Sequence, residues 1–432
     1  MAKKIVLIGA GSVKFCEGLI LDLIAEKGEY QLDLVDIDPS ALDIAVNLAK
    51  RLVEYYHAPI TVRGSLERRD FLSGADAVVS TIGVGSRPAW EKDVFITRQF
   101  GLYYPVGDTY GPPGISRCLR MIPQMVDIAN DVATMCPEAV FINYSNPLSA
   151  ICRAVRKATP AKMVGLCIGV KDVHDNLSRA MGVPPEEAWS TAIGINHFTW
   201  FIELRHKGQD AWPLLREKLA EKLGPEGQNL CWDLFRAYGA FPAVGDNHVV
   251  EFMPGDWQKK GGYFGKTLGL DGANNFEVNI IEHDERVFQR MKDKAYGRLP
   301  IDADDEIGEY SQLVEILRSI WYDEPRYYSV NLPNAGQAGN LPMGAVLEAT
   351  TLVNGSGFHP FSFGELPVGV TAHLLRVIGV IELTVDAALK ADRQLFVQAL
   401  IADGTVFTLK QAEALADALL EAQKEWLPNY FS

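Results

Sequence analysis

Two glycines and one aspartate near the amino terminus have the residue types and spacing of a dinucleotide site. Gly9 and Gly11 follow an apolar run at 4–8, and Asp36 ends a second apolar run, 25 positions after Gly11. Glycine at such a turn lets a pyrophosphate approach the backbone where a helix begins, and a carboxylate at this distance can accept hydrogen bonds from ribose hydroxyls. Because Asp36 would repel a 2′-phosphate, the pattern predicts NAD rather than NADP.

The third glycine of the usual fingerprint is absent, because Lys14 stands in its place. A turn with a purely structural role therefore remains the alternative to a cofactor site. A second glycine-bearing turn, residues 81–85, follows another apolar run and is expected to line the same crevice. The predicted cofactor-binding residues are Gly9, Gly11, Ser12, Val13, Asp36, Ile82, Gly83 and Asn143.

Four further segments place polar and metal-binding residue types near the ends of apolar runs. They are GDTYGPPG at 107–114, NYSNP at 143–147, GLC at 165–167 and GINH at 194–197. Each has an ordinary structural explanation, since a cysteine that closes a buried run usually belongs to the core and an isolated histidine is usually a hydrogen-bonded polar group. Asn146 lies where the crevice of a parallel sheet is expected, beyond the carboxyl end of a strand.

Regular elements must position these segments, and apolar runs alternate with helical spacing over the first 168 residues. Strands are predicted at 4–8, 32–35, 77–82, 139–143 and 163–167, and helices at 15–26, 40–56, 115–135 and 148–156. This alternation predicts an α/β fold with a Rossmann-type, doubly wound parallel sheet and right-handed crossovers.

The pattern changes after residue 168. Strands are predicted at 190–206 and 345–353, and helices at 211–240, 305–321 and 370–424. A chain of this length exceeds one ordinary core, so the sequence predicts two domains. Their predicted ranges are 1–168 for cofactor binding and 169–432 for a mixed α+β domain.

Composition narrows the class of protein. The chain is 48% hydrophobic and 22% charged, which excludes a disordered chain, and its net charge of −14 argues against a nucleic-acid partner. Six cysteines without a C-x-x-C pair fit a reduced compartment. The longest apolar stretch, 374–385, is too short to cross a bilayer. We therefore expect a cytoplasmic protein without a membrane partner.

Taken in order, the motifs resemble those of glycoside hydrolase family 4, relatives of the lactate and malate dehydrogenases. The resemblance begins at GAGSVKF and includes a loop with Asp246, His248 and Glu251, then NLP at 340–342 and GELP at 364–367. It implies that the second domain binds substrate and metal, that the substrate is a glycoside, and that the protein forms a homodimer or homotetramer.

The resemblance also implies a reaction that oxidises the sugar temporarily. NAD takes a hydride from C3, a base removes the C2 proton, the glycosidic oxygen leaves, water adds and the hydride returns. A divalent metal, expected to be Mn²⁺, stabilises the negative charge on oxygen. The implied metal ligands are Cys167 and His197, and a thiolate with an imidazole suits such a borderline ion.

Further roles are implied for five residues. Asp246 is the expected base, with Tyr238 and His248 as alternatives. Asn146 is expected to bind the C2 or C3 hydroxyl of the sugar, and Arg87 to bind substrate.

The residues after the metal cysteine bear on the substrate. In the family that the sequence resembles, phosphoglycosidases carry proline where this chain has Val170, so the resemblance implies the α-galactosidase, α-glucosidase and uronidase branch rather than a 6-phosphosugar. Ile168, at a predicted substrate-binding position, replaces a polar residue of relatives and cannot donate a proton; Lys171, Asp172 or His174 could supply one instead. The expected activity is hydrolysis of a non-phosphorylated, α-linked glycoside. The alternatives are the same reaction on a uronide or sulfoquinovoside, an NAD-dependent sugar or hydroxyacid dehydrogenase, and a nucleotide-binding protein without turnover.

Overall fold

The computed structural model describes residues 2–223, 230–257, 276–301 and 311–431. Its amino-terminal half is a six-stranded parallel sheet with the strand order β3-β2-β1-β4-β5-β6. The strands are β1 (Lys3–Ile8), β2 (Tyr30–Val35), β3 (Ile60–Ser65), β4 (Ala77–Ser80), β5 (Val140–Asn143) and β6 (Val164–Leu166). This order is that of a doubly wound dinucleotide-binding fold, as predicted.

Helices follow the strands of this half. They are α1 (Cys16–Glu26), α2 (Pro39–Tyr55), α3 (Arg69–Leu72), α4 (Ser86–Gln99), α5 (Gly111–Met135), α6 (Leu148–Ala158) and α7 (Gly169–Met181). The sequence explains where α2 begins, since Asp38 accepts hydrogen bonds from the backbone N–H of Ser40 and Ala41, and Pro39 occupies the first turn.

The second half adds antiparallel strands to the same sheet, in the order β6-β11-β12-β7-β8-β10. They are β7 (Ala188–Ile195), β8 (Phe198–His206), β9 (Gln209–Asp210), β10 (Phe241–Ala243), β11 (Arg326–Pro333), β12 (Val346–Asn354) and β13 (Gly357–Pro360). A mixed region after the parallel sheet is the architecture predicted from the sequence.

The second half also contains helices, and most of them follow residue 280. They are α8 (Trp212–Leu223), α9 (Leu230–Tyr238), α10 (Asp246–Val249), α11 (Glu282–Ala295), α12 (Ser311–Tyr322), α13 (Val368–Lys390), α14 (Arg393–Asp403) and α15 (Leu409–Ala422). Part of the helix predicted at 305–321 lies outside the described residues.

The sheet has no break between its halves. β6 pairs with β11, with Leu166 opposite Val330 and Gly165 opposite Asn331. The predicted domain boundary at residue 168 falls two residues after β6, and it stays a prediction.

Helix α13 has the length and apolar composition of a membrane span. It packs against α5, α6 and α14, and the buried side of the helix carries residues such as Leu374 and Val377. Its three internal charges are paired, Arg376 with Asp403, Glu382 with Arg153 and Asp386 with Lys157. These contacts are those of a helix that packs in the core of a globular fold.

Candidate active site and cofactor crevice

The turn after β1 lies in close contact with the ends of two neighbouring strands. Gly9 has φ +90°, and a Cβ added there would lie 2.7 Å from the backbone nitrogen of Ile82. A Cβ on Gly11 would lie 2.9 Å from Asp36 Oδ2. Only glycine fits both positions, so the turn brings the ends of β1, β2 and β4 together beside the beginning of α1.

Asp36 is tied to this turn by its own carboxylate. Oδ2 accepts from the backbone N–H of Gly11 at 2.8 Å, and Oδ1 accepts from Asp38 N–H at 3.0 Å. The carboxylate is half-buried at the end of β2, where an adenosine ribose would meet it.

The other predicted cofactor residues surround the same edge of the sheet. Ser12 and Val13 are half-buried in the turn before α1, and Gly83 is exposed in the turn before α4. The carbonyl of Ile82 accepts from the Ser145 hydroxyl at 2.8 Å. Asn143 is fully buried and exchanges two 3.0 Å hydrogen bonds with the backbone of Ser145, so its side chain shapes the NYSNP turn.

A hydrogen-bonded chain leads from this turn to a histidine. The amide of Asn146 donates to Asp108 Oδ2 at 2.7 Å, and Thr109 Oγ1 donates to Asp108 Oδ1 at 2.7 Å. Thr109 Oγ1 also lies 2.9 Å from His197 Nδ1. His197 lies in the two-residue turn between β7 and β8 with φ +66°, a left-handed conformation that histidine adopts more readily than most residues.

Asp108, His197 and His248 form a compact cluster. One potential ligand atom from each lies within 4.8 Å of the others, and the two imidazole rings have centroids 4.1 Å apart. Nδ1 of His248 is buried and has no hydrogen-bond partner among the described residues. A carboxylate and two imidazoles are suitable ligands for a divalent transition metal.

The protonation states of these three side chains favour the binding of a cation. Burial alone would raise the pKa of Asp108, but the nearby His197, His248 and Arg117 hold it below its usual range. Burial and the neighbouring His248 lower the pKa of His197, and burial lowers the pKa of His248 to about 4. A carboxylate and two neutral rings are the forms that bind metal.

Cys167 lies outside this cluster but shares its surroundings. Its half-buried sulphur accepts from Gly169 N–H at 3.5 Å. Burial and the nearby carboxylate of Glu348 raise the pKa of the Cys167 thiol to about 12, so it holds its proton. The positive charge of Lys14 acts on the pKa of Cys167, His197 and His248, which brings this exposed lysine into the site.

Glu348 crosslinks the strands beneath these residues. It is fully buried on β12 and accepts from Thr199 Oγ1 at 2.5 Å, from Asn196 Nδ2 at 3.4 Å and from Asn331 Nδ2 at 3.2 Å. Asn196 and Thr199 flank the turn that carries His197, so Glu348 fixes that turn against β11 and β12.

The candidate bases have different contacts. Asp246 begins α10, and its carboxylate accepts from the backbone N–H groups of Leu230 at 3.2 Å and Cys231 at 2.9 Å, which caps α9. The hydroxyl of Tyr238 lies 2.8 Å from His373 Nε2. Burial lowers the pKa of His373, so the ring is neutral near pH 7 and its Nε2 can accept a hydrogen bond from the phenol. His248 belongs to the cluster.

The two remaining predicted residues lie at helix starts. Arg87, in the first turn of α4, is paired with Glu91 at 3.1 Å and with Glu285 at 2.8 Å. Ile168 is half-buried directly before α7. Of the replacements for its missing acid, His174 has both ring nitrogens within hydrogen-bond distance of Ser190 or Pro185, and burial raises the pKa of Asp172.

Sequence reasoning did not single out two residues of this site. Asp108 lies inside the GDTYGPPG segment, and an acidic residue between two glycines in a segment of catalytic type is the signal that could have found it. Lys14 was noted only as a missing glycine.

Comparisons with known proteins identify the family to which this chain is similar. A family model described as Family 4 glycosyl hydrolase matches residues 4–183, and one for the C-terminal domain of that family matches residues 192–406. An α-galacturonidase of Thermoanaerobacterium saccharolyticum is 32% identical over 99% of this chain and 97% of its own length. An α-galactosidase of Bacillus subtilis is 27% identical over 99% of this chain and 100% of its own length.

Solved structures show the same fold. A 6-phospho-α-glucosidase from gut microorganisms, in complex with NAD and Mn²⁺, has a TM-score of 0.86 at 19% identity and covers 99% of each chain. A malate dehydrogenase from Plasmodium falciparum, in complex with NADH, has a TM-score of 0.53 at 15% identity, covering 90% of this chain and 99% of that one. The predicted relation to the dehydrogenase fold is confirmed. Because the two family models match most of its length, the chain belongs to family 4 of the glycosyl hydrolases.

Proposed function

We propose that the protein hydrolyses a non-phosphorylated, α-linked glycoside with the help of NAD and a divalent cation. The observation that carries this proposal is the cluster of Asp108, His197 and His248, linked through Asn146 to the carboxyl edge of the parallel sheet. A cation site beside a dinucleotide crevice combines the two groups that a redox-assisted hydrolysis requires.

The residues present fit both groups. Gly9, Gly11 and Asp36 would hold NAD at the turn, where added Cβ atoms would collide with the backbone of Ile82 or with Asp36. Nδ1 of His248, which has no hydrogen-bond partner in the described part of the chain, and the ionised Asp108 carboxylate suit a cation. When bound, NAD supplies reversible hydride transfer at C3, and Mn²⁺ supplies a positive charge for the adjacent oxygens.

We assign the predicted ligand His197 to the cation, together with Asp108 and His248. Cys167 stays a predicted ligand that can join the site only when its thiol loses a proton. Asn146 would orient the C2 or C3 hydroxyl, since its amide already faces the Asp108 carboxylate.

For proton removal from C2 we favour Tyr238 over Asp246. The Asp246 carboxylate is engaged by two backbone N–H groups, whereas the Tyr238 hydroxyl faces a neutral imidazole at 2.8 Å. A carboxylate that already accepts two hydrogen bonds is stabilised in its charged form and is a weaker base, which favours Tyr238.

Glycosides of sugars with an acidic C6 group are a second candidate substrate class. The α-galacturonidase is a relative at 32% identity, and Lys14 adds a cation beside the cluster that could face a carboxylate or sulfonate. Val170 favours either class over a 6-phosphosugar, and Arg87, if released from Glu91 and Glu285, would add a second cation.

One screen tests these assignments. The protein is incubated with NAD, Mn²⁺ and a reductant, and with nitrophenyl α-galactoside, α-glucoside, α-galacturonide or sulfoquinovoside. We expect release of nitrophenol that depends on NAD and on His197, without accumulation of NADH. Stoichiometric NADH with intact glycoside would indicate a dehydrogenase, and neither product would indicate a binding protein.

The assembly and the cellular location are proposals of the same kind. We propose a homodimer or homotetramer in the cytoplasm, on the resemblance to the family and on the six unpaired cysteines. Light scattering of the purified protein would measure the assembly, and a monomer at micromolar concentration would contradict it.

A further inference from the structure

One buried carboxylate, Glu251, contacts the loop that carries Asp108 and follows closely after His248 in the chain. Its side chain is fully buried in the short helical turn Val250–Phe252. Oε1 accepts from the backbone N–H of Val106 at 2.8 Å and from that of Gly107 at 2.7 Å. These donors immediately precede Asp108, and His248 lies three residues before Glu251. The carboxyl group therefore connects the loop that carries Asp108 to the segment that carries His248.

The residue after Glu251, Phe252, contacts the loop that carries Asp108 and the strand that follows His197. The ring of Phe252 stacks on Tyr110 with centroids 4.5 Å apart and on Phe198 with centroids 4.9 Å apart. Tyr110 lies two residues after Asp108, and Phe198 directly follows His197. The turn Val250–Phe252 therefore contacts a neighbour of every member of the cluster.

No cation neutralises Glu251 among the described residues, and Oε2 is buried without a hydrogen-bond partner there. Burial raises the pKa of Glu251 well above its usual range, so the side chain is held as a neutral carboxyl group. A buried polar group with one unpartnered oxygen is still costly, and a structural anchor alone could be built from apolar side chains. The fully buried Asp33 on β2, by contrast, is paired with Arg63 on the edge strand β3 and accepts from Gln31.

We propose that Glu251 is a positioning residue that sets the distance between Asp108 and His248 by holding the two backbone N–H groups before Asp108. This inference rests on the proposed cation site. It concerns hydrogen-bond reach rather than charge, because the residue touches the loop backbone and not the cluster itself. Outer partners of metal ligands are worth about 10- to 100-fold in metal affinity.

The test measures Mn²⁺ affinity from the electron paramagnetic resonance signal of free Mn²⁺. Glu251→Ala is expected to weaken binding about tenfold or more, and Glu251→Gln, whose amide oxygen can accept both N–H groups, to stay within about threefold of the native value. Glu251→Asp keeps the carboxyl group but is one methylene shorter, and it is expected to bind as weakly as the alanine variant. NAD affinity, measured in parallel, is expected to change less than about twofold.

The controls separate the possible failures. Asp33→Asn removes a buried charge far from the cluster and is expected to leave Mn²⁺ affinity unchanged. Native affinity in Glu251→Ala, or in Glu251→Asp if the alanine variant does not fold, would overturn the positioning role alone. If Glu251→Asp binds normally while Glu251→Gln does not, charge rather than reach is responsible, and the proposal is wrong. Absence of Mn²⁺ binding by the unmodified protein would overturn both this inference and the proposed cation site.

Discussion

The side-chain amide of Asn146 donates a 2.7 Å hydrogen bond to Oδ2 of Asp108, across a separation of 38 residues. Replacing Asp108 with Asn would remove the negative charge from the cluster and leave one carbonyl oxygen where two carboxylate oxygens accept from Asn146 and Thr109. We expect Mn²⁺ affinity to fall about a hundredfold, since even outer partners of ligands are worth about 10- to 100-fold. Calorimetric titration would measure this. Asp76→Asn, at the amino end of β4, is the matched control, and an equal loss there would refute a local effect.

The nucleotide preference tests Asp36. In Asp36→Ala we expect the affinity for NADP relative to NAD to rise at least about tenfold, because a like charge no longer faces the 2′-phosphate. Absolute affinity for NAD should also fall, since Gly11 loses a 2.8 Å hydrogen-bond acceptor. Titrations of both nucleotides would measure this, and tighter NADP binding by the unmodified protein would reject the assignment.

The pH dependence of Mn²⁺ binding tests Cys167. Burial raises the pKa of its thiol to about 12, so a thiolate ligand must release one proton when the metal binds. We expect affinity to rise about tenfold per pH unit between about pH 6 and 8. Because the pKa of His248 is about 4 and that of His197 is lowered, these rings are neutral over this range and add no slope. A flat profile, unchanged in Cys167→Ser, would exclude the cysteine.

Incorporation of deuterium from the solvent tests the proposed reaction path and the identity of its base. Turnover in D₂O is expected to place deuterium at C2 of the released sugar, because the base removes that proton. Tyr238→Phe should reduce the exchange by about 10²- to 10⁴-fold, the usual worth of a general base. Asp246→Asn should retain exchange and lose stability, since its side chain caps α9. Mass spectrometry of the product decides, and efficient hydrolysis without deuterium would rule out the mechanism.

Stability should depend on pH through Glu348. Burial raises the pKa of this carboxyl to about 7, so the folded protein holds the proton more tightly than the unfolded chain. Its stabilising contribution is therefore complete below about pH 4 and is lost as the pH rises through about 7, by about 3 kcal/mol. Urea midpoints at about pH 5 and 8 should show this loss in the unmodified protein and not in Glu348→Gln. Glu382→Gln, at a half-exposed pair with Arg153, is the control, and equal slopes in all three proteins would refute the assignment.

The parallel half of the fold could be predicted because its strands are buried on both faces. The run at 4–8 is apolar throughout and reads as a central strand without any tertiary information. β3 was not predicted, since its sequence ITVRGS is half polar, as suits the edge of a sheet. β11 was also missed, because Arg326, Ser329 and Asn331 interrupt its apolar pattern, and Asn331 faces the buried Glu348 rather than solvent.

The sequence predicts a site residue well when the contacts of that residue lie in a local motif. It predicts a residue less well when its contacts are with residues far away in the chain. Gly9, Gly11 and Asp36 follow a local pattern that dictates their geometry. The pairing of Asp108 with His197 and His248 joins positions about 90 and 140 residues apart, and no periodicity reports such a contact. The capping contact of Asp246 with Leu230 and Cys231 is likewise invisible in a motif that resembles a catalytic one.

The pairing of β6 with β11 has a consequence for how substrate enters. A rotation of one half against the other about residue 168 would have to break backbone hydrogen bonds at Leu166 and Gly165, in the middle of a sheet covered on both faces. The continuous sheet therefore opposes hinge closure of the kind seen in enzymes with two separate lobes. We therefore expect glycoside entry and product release to depend on loops at the sheet's carboxyl edge. Turnover should then respond to viscosity and to loop length but not to crosslinks between the two halves of the sheet.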